Sequence, residues 1–582
     1  MLNRRKSSLG TIVCCIGLVA MSWGCDASGR SAQQPEAEET QVPPAKTAVP
    51  EDGPAQAQSE PVKFPGIYAI WPNKYTTHVQ KLPYVKGGQI AVQWGELHTG
   101  QDRYNWSSLD TLLAAAAKEN RIVSLQINGN IKPAFLFDIV PYTTNWGEEQ
   151  VRDSRGVLMY WHPAFIKAYT GFLAQLADHL NRSPYRSFVL GLRQNFNAIG
   201  TEKLPVPENK QPLSAWTIPA GDQEATAWTR DIQLDYQRKV LASFVSGFAT
   251  GIERPIPVFI RNNLSPELAA PYVAEFAAGH LNWFHTSSEI EPRGASVAKQ
   301  YETFLSYSRA GQTLGYAEQW AGAWGDHGGK VDPRWYPPPA WNYWRLLSDL
   351  NMGVSYIGVY SDDLQVALDG FHRGENAGEE YRRQFDAAFR FAAKYAGHHS
   401  DPEHSPGAWV AFRESDTDLK PSLYNNNVTD YTMHMILLNP QDTDGLDARK
   451  DGIAAPLVQK QTIKGLYSIG PYYQRFGAWA RKLPAGNTMQ LKLDEKFARS
   501  LDGSKAAINV TYYDHAEGTS FTLQSSGVSQ TIALSGTGKW MKASVPVNQA
   551  AFANNGSVAL ITVSAIGSDV IFHMVEVTRD AE

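Results

Sequence analysis

In Leu314-Gly-Tyr-Ala-Glu-Gln-Trp-Ala-Gly-Ala-Trp324 a carboxylate sits beside two indoles, directly after a short apolar run. The run from Thr313 to Ala317 reads as a buried strand that delivers Glu318 at its C-terminal end. An indole face stacks on the apolar face of a pyranose, and a carboxylate beside it can face an anomeric carbon. Trp320 and Trp324, set among Gly and Gln, are therefore expected in a cleft rather than a core. The plainer reading is a surface glutamate next to two core tryptophans. Glycoside cleavage needs a second carboxyl across the scissile bond, so the elements that could supply one decide between the two.

Eight short apolar runs alternate with helical patterns: 66–71, 88–94, 122–127, 188–192, 256–260, 283–285, 314–317 and 354–360. Helical patterns such as Leu109 to Lys118, Pro163 to Leu180 and Asp231 to Thr250 lie between them. Repeated βα units of this number predict an α/β fold, a (β/α)8 TIM barrel. No glycine-rich phosphate loop follows any run, which argues against a doubly wound nucleotide-binding sheet. Functional side chains of such barrels stand at the C-terminal ends of the strands. Those positions hold Trp94 with Glu96, Asn128, Arg193 with Asn195 and Asn197, Arg261, His285, and Glu318 with Trp320. Amides, indoles, arginines and carboxylates suit a sugar cleft. Trp94, Glu96, Asn128, Arg193, Asn195, Asn197, His285, Trp320 and Trp324 are the expected substrate contacts.

Trp94-Gly-Glu-Leu-His-Thr-Gly-Gln-Asp-Arg-Tyr-Asn-Trp106-Ser-Ser-Leu-Asp110 resembles the second-strand signature of clan A glycoside hydrolases, family 42 β-galactosidases especially. The spacing from His162-Pro163 through a helix to Val189-Leu-Gly-Leu-Arg193 is similar as well, and the resemblance spans about Phe64 to Gly370. It implies a nucleophile at the end of strand seven, where Glu318 stands, and an acid/base after strand four. Where the clan carries Asn-Glu, this chain reads Asn195-Phe196. The nearest following carboxylate, Glu202, is therefore assigned the acid/base role, with Glu96 or Glu289 as the alternatives if Glu202 points outward. The resemblance further implies a retaining mechanism and β-linked, galactose-containing substrates.

The formal net charge of -5 gives no electrostatic reason to expect nucleic acid. The counts of 17 Trp, 26 Tyr and 23 Phe, beside many Asn and Gln, lend weak support to carbohydrate contacts. All three cysteines, Cys14, Cys15 and Cys25, lie in the first 25 residues, so neither a disulfide framework nor a cysteine metal site is expected downstream. A basic Arg4-Arg5-Lys6, an apolar stretch from Leu9 to Met21 and Gly24-Cys25 resemble a bacterial lipoprotein leader, with Cys25 as the lipidated residue and plain secretion as the alternative. Residues 26–62 are rich in Pro, Ala, Gln, Ser and Glu and read as a disordered tether. An exported protein, reaching the membrane only through that anchor, is the expectation.

The barrel is assigned to residues 63–400. His398-His-Ser-Asp-Pro-Glu-His-Ser-Pro-Gly407 reads as a linker, its histidines solvated. From 405 to 582 short alternating runs between turn residues predict a second, all-β domain, a jelly-roll or β-sandwich. Asp326-His327 is too sparse for a metal site, and no cofactor is expected. Taken together, an exported glycosidase acting on oligo- or polysaccharide is the leading reading. The alternative is a barrel that binds glycans without cleaving them, and a polysaccharide lyase is a third. The irregular end of strand four keeps the alternative open.

Overall fold

The computed structural model describes residues 64–70, 79–143, 155–204, 206, 216–219, 225–250, 255–261, 264–287, 315–319, 322–324, 338–412, 430–438, 475–476, 480–501, 505–525, 527–547 and 560–579. The leader and tether assigned above, with Cys25, lie outside them, as do Glu289, Trp320 and the side chain of His285.

Eight parallel strands close into a barrel: β1 (Gly66–Ile70), β2 (Val85–Gln93), β3 (Ile122–Asn128), β4 (Val189–Arg193), β5 (Val258–Arg261), β6 (Leu281–Ser287), β7 (Gly315–Gln319) and β8 (Val354–Tyr360). Closure is made by β1, which pairs with β2 on one side and with β8 on the other, from Gly66 opposite Tyr356 to Ile70 opposite Tyr360. The apolar runs in the sequence are these strands. They are legible because a barrel strand is covered on both faces, by helices outside and by side chains within. β3, Ile-Val-Ser-Leu-Gln-Ile-Asn, is buried at every position.

The two-residue period sorts each strand into an outer and an inner set. In β7, Ala317 joins the main apolar core between sheet and helices, while Tyr316 points inward. Tyr68, Phe259, Phe284, Tyr316 and Tyr356 form an aromatic plug inside the barrel. Two residues beyond Tyr316 and Phe259, the same inward register brings up Glu318 and Arg261. Physically, the plug is the floor on which the polar residues of the mouth stand.

The helix Pro163–Arg182 shows how the outer layer is built. Its N-cap, His162, accepts a hydrogen bond through Nδ1 from the amide of Ala164 at 3.2 Å, and proline occupies the first turn. Phe165, Tyr169, Phe172, Leu173, Leu176 and Leu180 recur at helical spacing and are buried against the strands. Ser183 before Pro184 ends it in extended backbone.

Beyond the barrel lie two antiparallel sheets. The first orders β10 (Tyr431–Met433), β9 (Gly407–Ala411), β19 (Val570–Arg579), β14 (Ala506–Asp514) and β17 (Lys539–Val547), with β12 (Arg481–Leu483) also paired to β19. The second orders β11 (Met435–Leu438), β13 (Thr488–Leu493), β18 (Leu560–Ile566), β15 (Ser520–Ser525) and β16 (Val528–Ala533). Their inner faces share one core that includes Val410, Leu437, Leu491, Ile508, Val510, Phe521, Val563 and Phe572. Two details differ from the sequence reading. The alternating stretch Thr432 to Leu438 forms two strands in different sheets, because His434 takes a left-handed conformation (φ 55°) and turns the chain from one sheet to the other. The three-residue β12 is too short to leave a periodic signal and was not anticipated.

β19 also packs on the barrel. Lys394 and Tyr395, on the helix Glu379–Tyr395, donate to the Glu576 carboxylate at 3.1 and 2.7 Å. Tyr343, on the helix Pro338–Asn351, hydrogen-bonds through its hydroxyl to His573 Nε2 at 3.0 Å. Trp344 meets the same imidazole edge to face, ring centroids 5.1 Å apart.

Candidate active site

At the C-terminal end of the barrel one guanidinium links two carboxylates from distant parts of the chain. Arg193, the last residue of β4, donates through Nη1 to Glu318 Oε2 at 2.8 Å and through Nη2 to Glu202 Oε2 at 2.8 Å. A guanidinium spans only about 2.3 Å between its terminal nitrogens, so the two carboxylate oxygens lie within about 8 Å of each other. The Arg193 plane also lies over the Phe284 ring, 4.0 Å from its centroid, so the aromatic plug fixes the guanidinium from below. Both acids are largely enclosed, with side-chain exposures of 6% for Glu202 and 7% for Glu318.

Amides from neighbouring strands complete the layer. Gln126 Oε1 accepts from Arg193 Nη1 at 3.2 Å and from Gln89 Nε2 at 2.8 Å, and Gln89 Nε2 also stands 3.4 Å from Glu318 Oε2. Arg261, at the end of β5, donates to the other oxygen of Glu202, Oε1. Each oxygen of Glu202 thus accepts from an arginine, the pairing of an ionised carboxylate. Beneath Glu318, burial first and then the glutamate's charge push the Tyr316 hydroxyl well above its usual range, so it stays protonated.

Several residues expected to touch substrate do other work. Trp94 is fully buried and donates through its indole N–H to His98 Nδ1 at 3.3 Å. His98 stacks on Tyr104, 4.7 Å between centroids, and Trp106 stacks on His179 at 4.8 Å. The aromatic positions of the signature from Trp94 to Asp110 therefore build a packed flank, and Trp94 is not a sugar platform. Glu96 is exposed, and its carboxylate closes a capping box on its own four-residue helix, Trp94–Leu97. Asn128, Asn195 and Asn197 are buried. Asn195 Nδ2 donates to the Ile127 carbonyl at 2.8 Å and stands 3.3 Å from Asn128 Oδ1, so these two brace the mouth from within and do not line it. Asn197 is fully enclosed in a left-handed turn (φ 52°). Trp324 is the one expected indole that the described residues leave in view, 37% exposed. It stacks on His372 at 4.0 Å, in a turn whose Ala323 amide donates to Asp363 Oδ2 at 3.0 Å. His285 lies on β6, with Ala317 as its backbone partner on β7.

Gln89, Gln126 and the pairing role of Arg261 were missed. The available signal was a glutamine at an inward position of an otherwise apolar strand.

No known family model matches the chain, and no curated protein matches it. Among solved structures, a β-galactosidase from Rahnella sp. R3 aligns at a TM-score of 0.35 and 11% identity, over 62% of this chain. The chain spans 58% of that enzyme's length. A carbohydrate-binding module of the Cellvibrio mixtus lichenase 5A, solved with cellotriose, aligns over 21% of this chain and 92% of its own, at a TM-score of 0.15 and 14% identity. Similarity this low assigns no activity, so the chemistry rests on the mouth of the barrel.

Proposed function

We propose that this protein is a glycoside hydrolase acting by double displacement on β-linked, galactose-containing oligo- or polysaccharides. The observation that carries the reading is the pairing of Glu318 and Glu202 on Arg193 at the C-terminal end of a (β/α)8 barrel. In the first step a Glu318 oxygen bonds to the anomeric carbon while the bond from that carbon to the glycosidic oxygen breaks. The departing oxygen keeps the electron pair and takes a proton from Glu202. In the second step Glu202 removes a proton from water, the water oxygen bonds to the anomeric carbon, and the pair of the ester bond returns to Glu318. Arg193 steadies the Glu318 carboxylate as the nucleophile. Glu202 must give up an arginine contact and take a proton from solvent before it can act as the acid. The choice of galactose follows from the family 42 resemblance of the segment Trp94 to Asp110. The leader resemblance leads us to propose export, with lipid attached at Cys25.

Aryl β-galactosides are the first substrates to try. Hydrolysis with retained anomeric configuration is expected, with Glu318→Gln lowering kcat at least about 1,000-fold. A 2-deoxy-2-fluoro galactoside should add covalently to Glu318, read by peptide mass spectrometry. Labelling of another carboxylate, or inverted product, would overturn the mechanism.

One observation favours a second reading, a barrel that binds glycans without cleaving them. In the free protein each Glu202 oxygen is held by an arginine, which suits a fixed structural anion as well as a resting acid. Glycan binding by calorimetry with no turnover on any linkage would establish it.

A further inference from the structure

Three successive strand-to-helix loops meet backbone to backbone beside Glu202. The Gly95 amide donates to the Ile131 carbonyl at 2.9 Å, and the Gly129 amide donates to the Gly200 carbonyl. A Cβ on Gly95 would stand 2.6 Å from the Lys132 carbonyl oxygen, and one on Gly129 would stand 2.9 Å from Asn197 Cβ, so only glycine permits this approach. Lys132 lies at the junction, 7% exposed, and its ammonium donates to the Gly129 carbonyl and, at 2.7 Å, to the Ile199 carbonyl. Burying an ammonium is costly unless it is hydrogen-bonded, and here the charge is used to tie the loop after β3 to the loop after β4. Ile199 is three residues before Glu202.

We infer that Lys132 is a positioning residue for Glu202, holding the loop that carries this carboxylate at its place opposite Glu318. The inference rests on the acid/base reading of Glu202 and deepens it. A proton donor shifted by about 1 Å loses most of its effect, about 10- to 100-fold. The loss falls on substrates that need the proton. A phenyl glycoside, with its poor leaving group, depends on the acid, whereas a 2,4-dinitrophenyl glycoside departs unaided.

The test compares Lys132→Met with Lys132→Arg. Lys132→Met should lower kcat/KM on phenyl β-galactoside at least about tenfold more than on the dinitrophenyl substrate, and Lys132→Arg should recover part of the difference. Equal loss on both substrates, as a general loss of fold would give, overturns the inference, and so does no loss on either. Hydrogen exchange over residues 195–202 reads the same tie without turnover. Faster exchange in Lys132→Met than in Lys132→Arg supports it, and unchanged exchange in Lys132→Met overturns it. Glu202→Ala separates the two readings. If that variant shows no leaving-group dependence while exchange still rises in Lys132→Met, the tie between the loops stands and the acid/base assignment of Glu202 falls.

Discussion

Arg193 meets two carboxylates, an amide oxygen and an aromatic face, and no other side chain type satisfies all four. Lysine offers a point charge without the planar fork. Arg193→Met leaves Glu202 and Glu318 close together without the cation that links them, and should cost about 3–5 kcal/mol in chemical denaturation. Arg193→Lys should keep more of the stability and still lower kcat at least about 100-fold. Trp94 and Trp324 separate by the same reasoning. Trp94→Ala empties a core site and should cost about 3–5 kcal/mol with KM little changed in the folded fraction. Trp324→Ala should raise KM about fivefold with stability nearly intact. A rise in KM for the Trp94 variant at unchanged stability would contradict the burial described for it.

At the scale of elements, the barrel was plain in the sequence because each strand is a short apolar run bounded by polar loops. Strand ends then located Arg193 and Glu318 by position alone. What the sequence does not carry is side-chain direction after the strand has ended. Trp94 and Glu318 both stand at strand ends, yet Trp94 begins a helical turn that swings its indole outward beneath the helix Pro163–Arg182. For the same reason Lys132 and Gln126 look like an ordinary loop cation and an odd glutamine until their neighbours from other strands are known. The aromatic flank also has a pH signature. Burial pushes the His98 imidazole down to about 4, opposed by Asp102 nearby. The unfolded chain therefore takes up a proton near the ordinary histidine value of about 6.5 that the folded chain refuses. This contribution to stability is fully present above that value and declines as the pH falls toward 4. Urea midpoints measured across this window should fall, and His98→Gln should flatten the slope.

At the scale of the whole molecule, Glu576 joins barrel and sandwich. Burial alone would raise its carboxyl, but Lys394, Lys542 and the Tyr395 hydroxyl outweigh it and hold the carboxyl below the usual range. Its contribution is therefore present above the ordinary glutamate value of about 4.3 and is lost as the pH falls through the depressed one. Glu576→Gln should remove that acid-side loss and lower the melting temperature at pH 7.

β19 serves two masters: it pairs with β9, β12 and β14 within the sandwich, and it covers Tyr343, Trp344 and Tyr395 on the barrel. It is also made after every other strand described. While the ribosome still holds this stretch, the barrel helices it covers remain bare and the first sheet lacks the strand that joins its members. Neither half can reach its final form before translation has passed Arg579. A chain stopped after Gly567 should accordingly be cut by protease in the helix Pro338–Asn351 as well as in the sandwich, although every barrel residue is present.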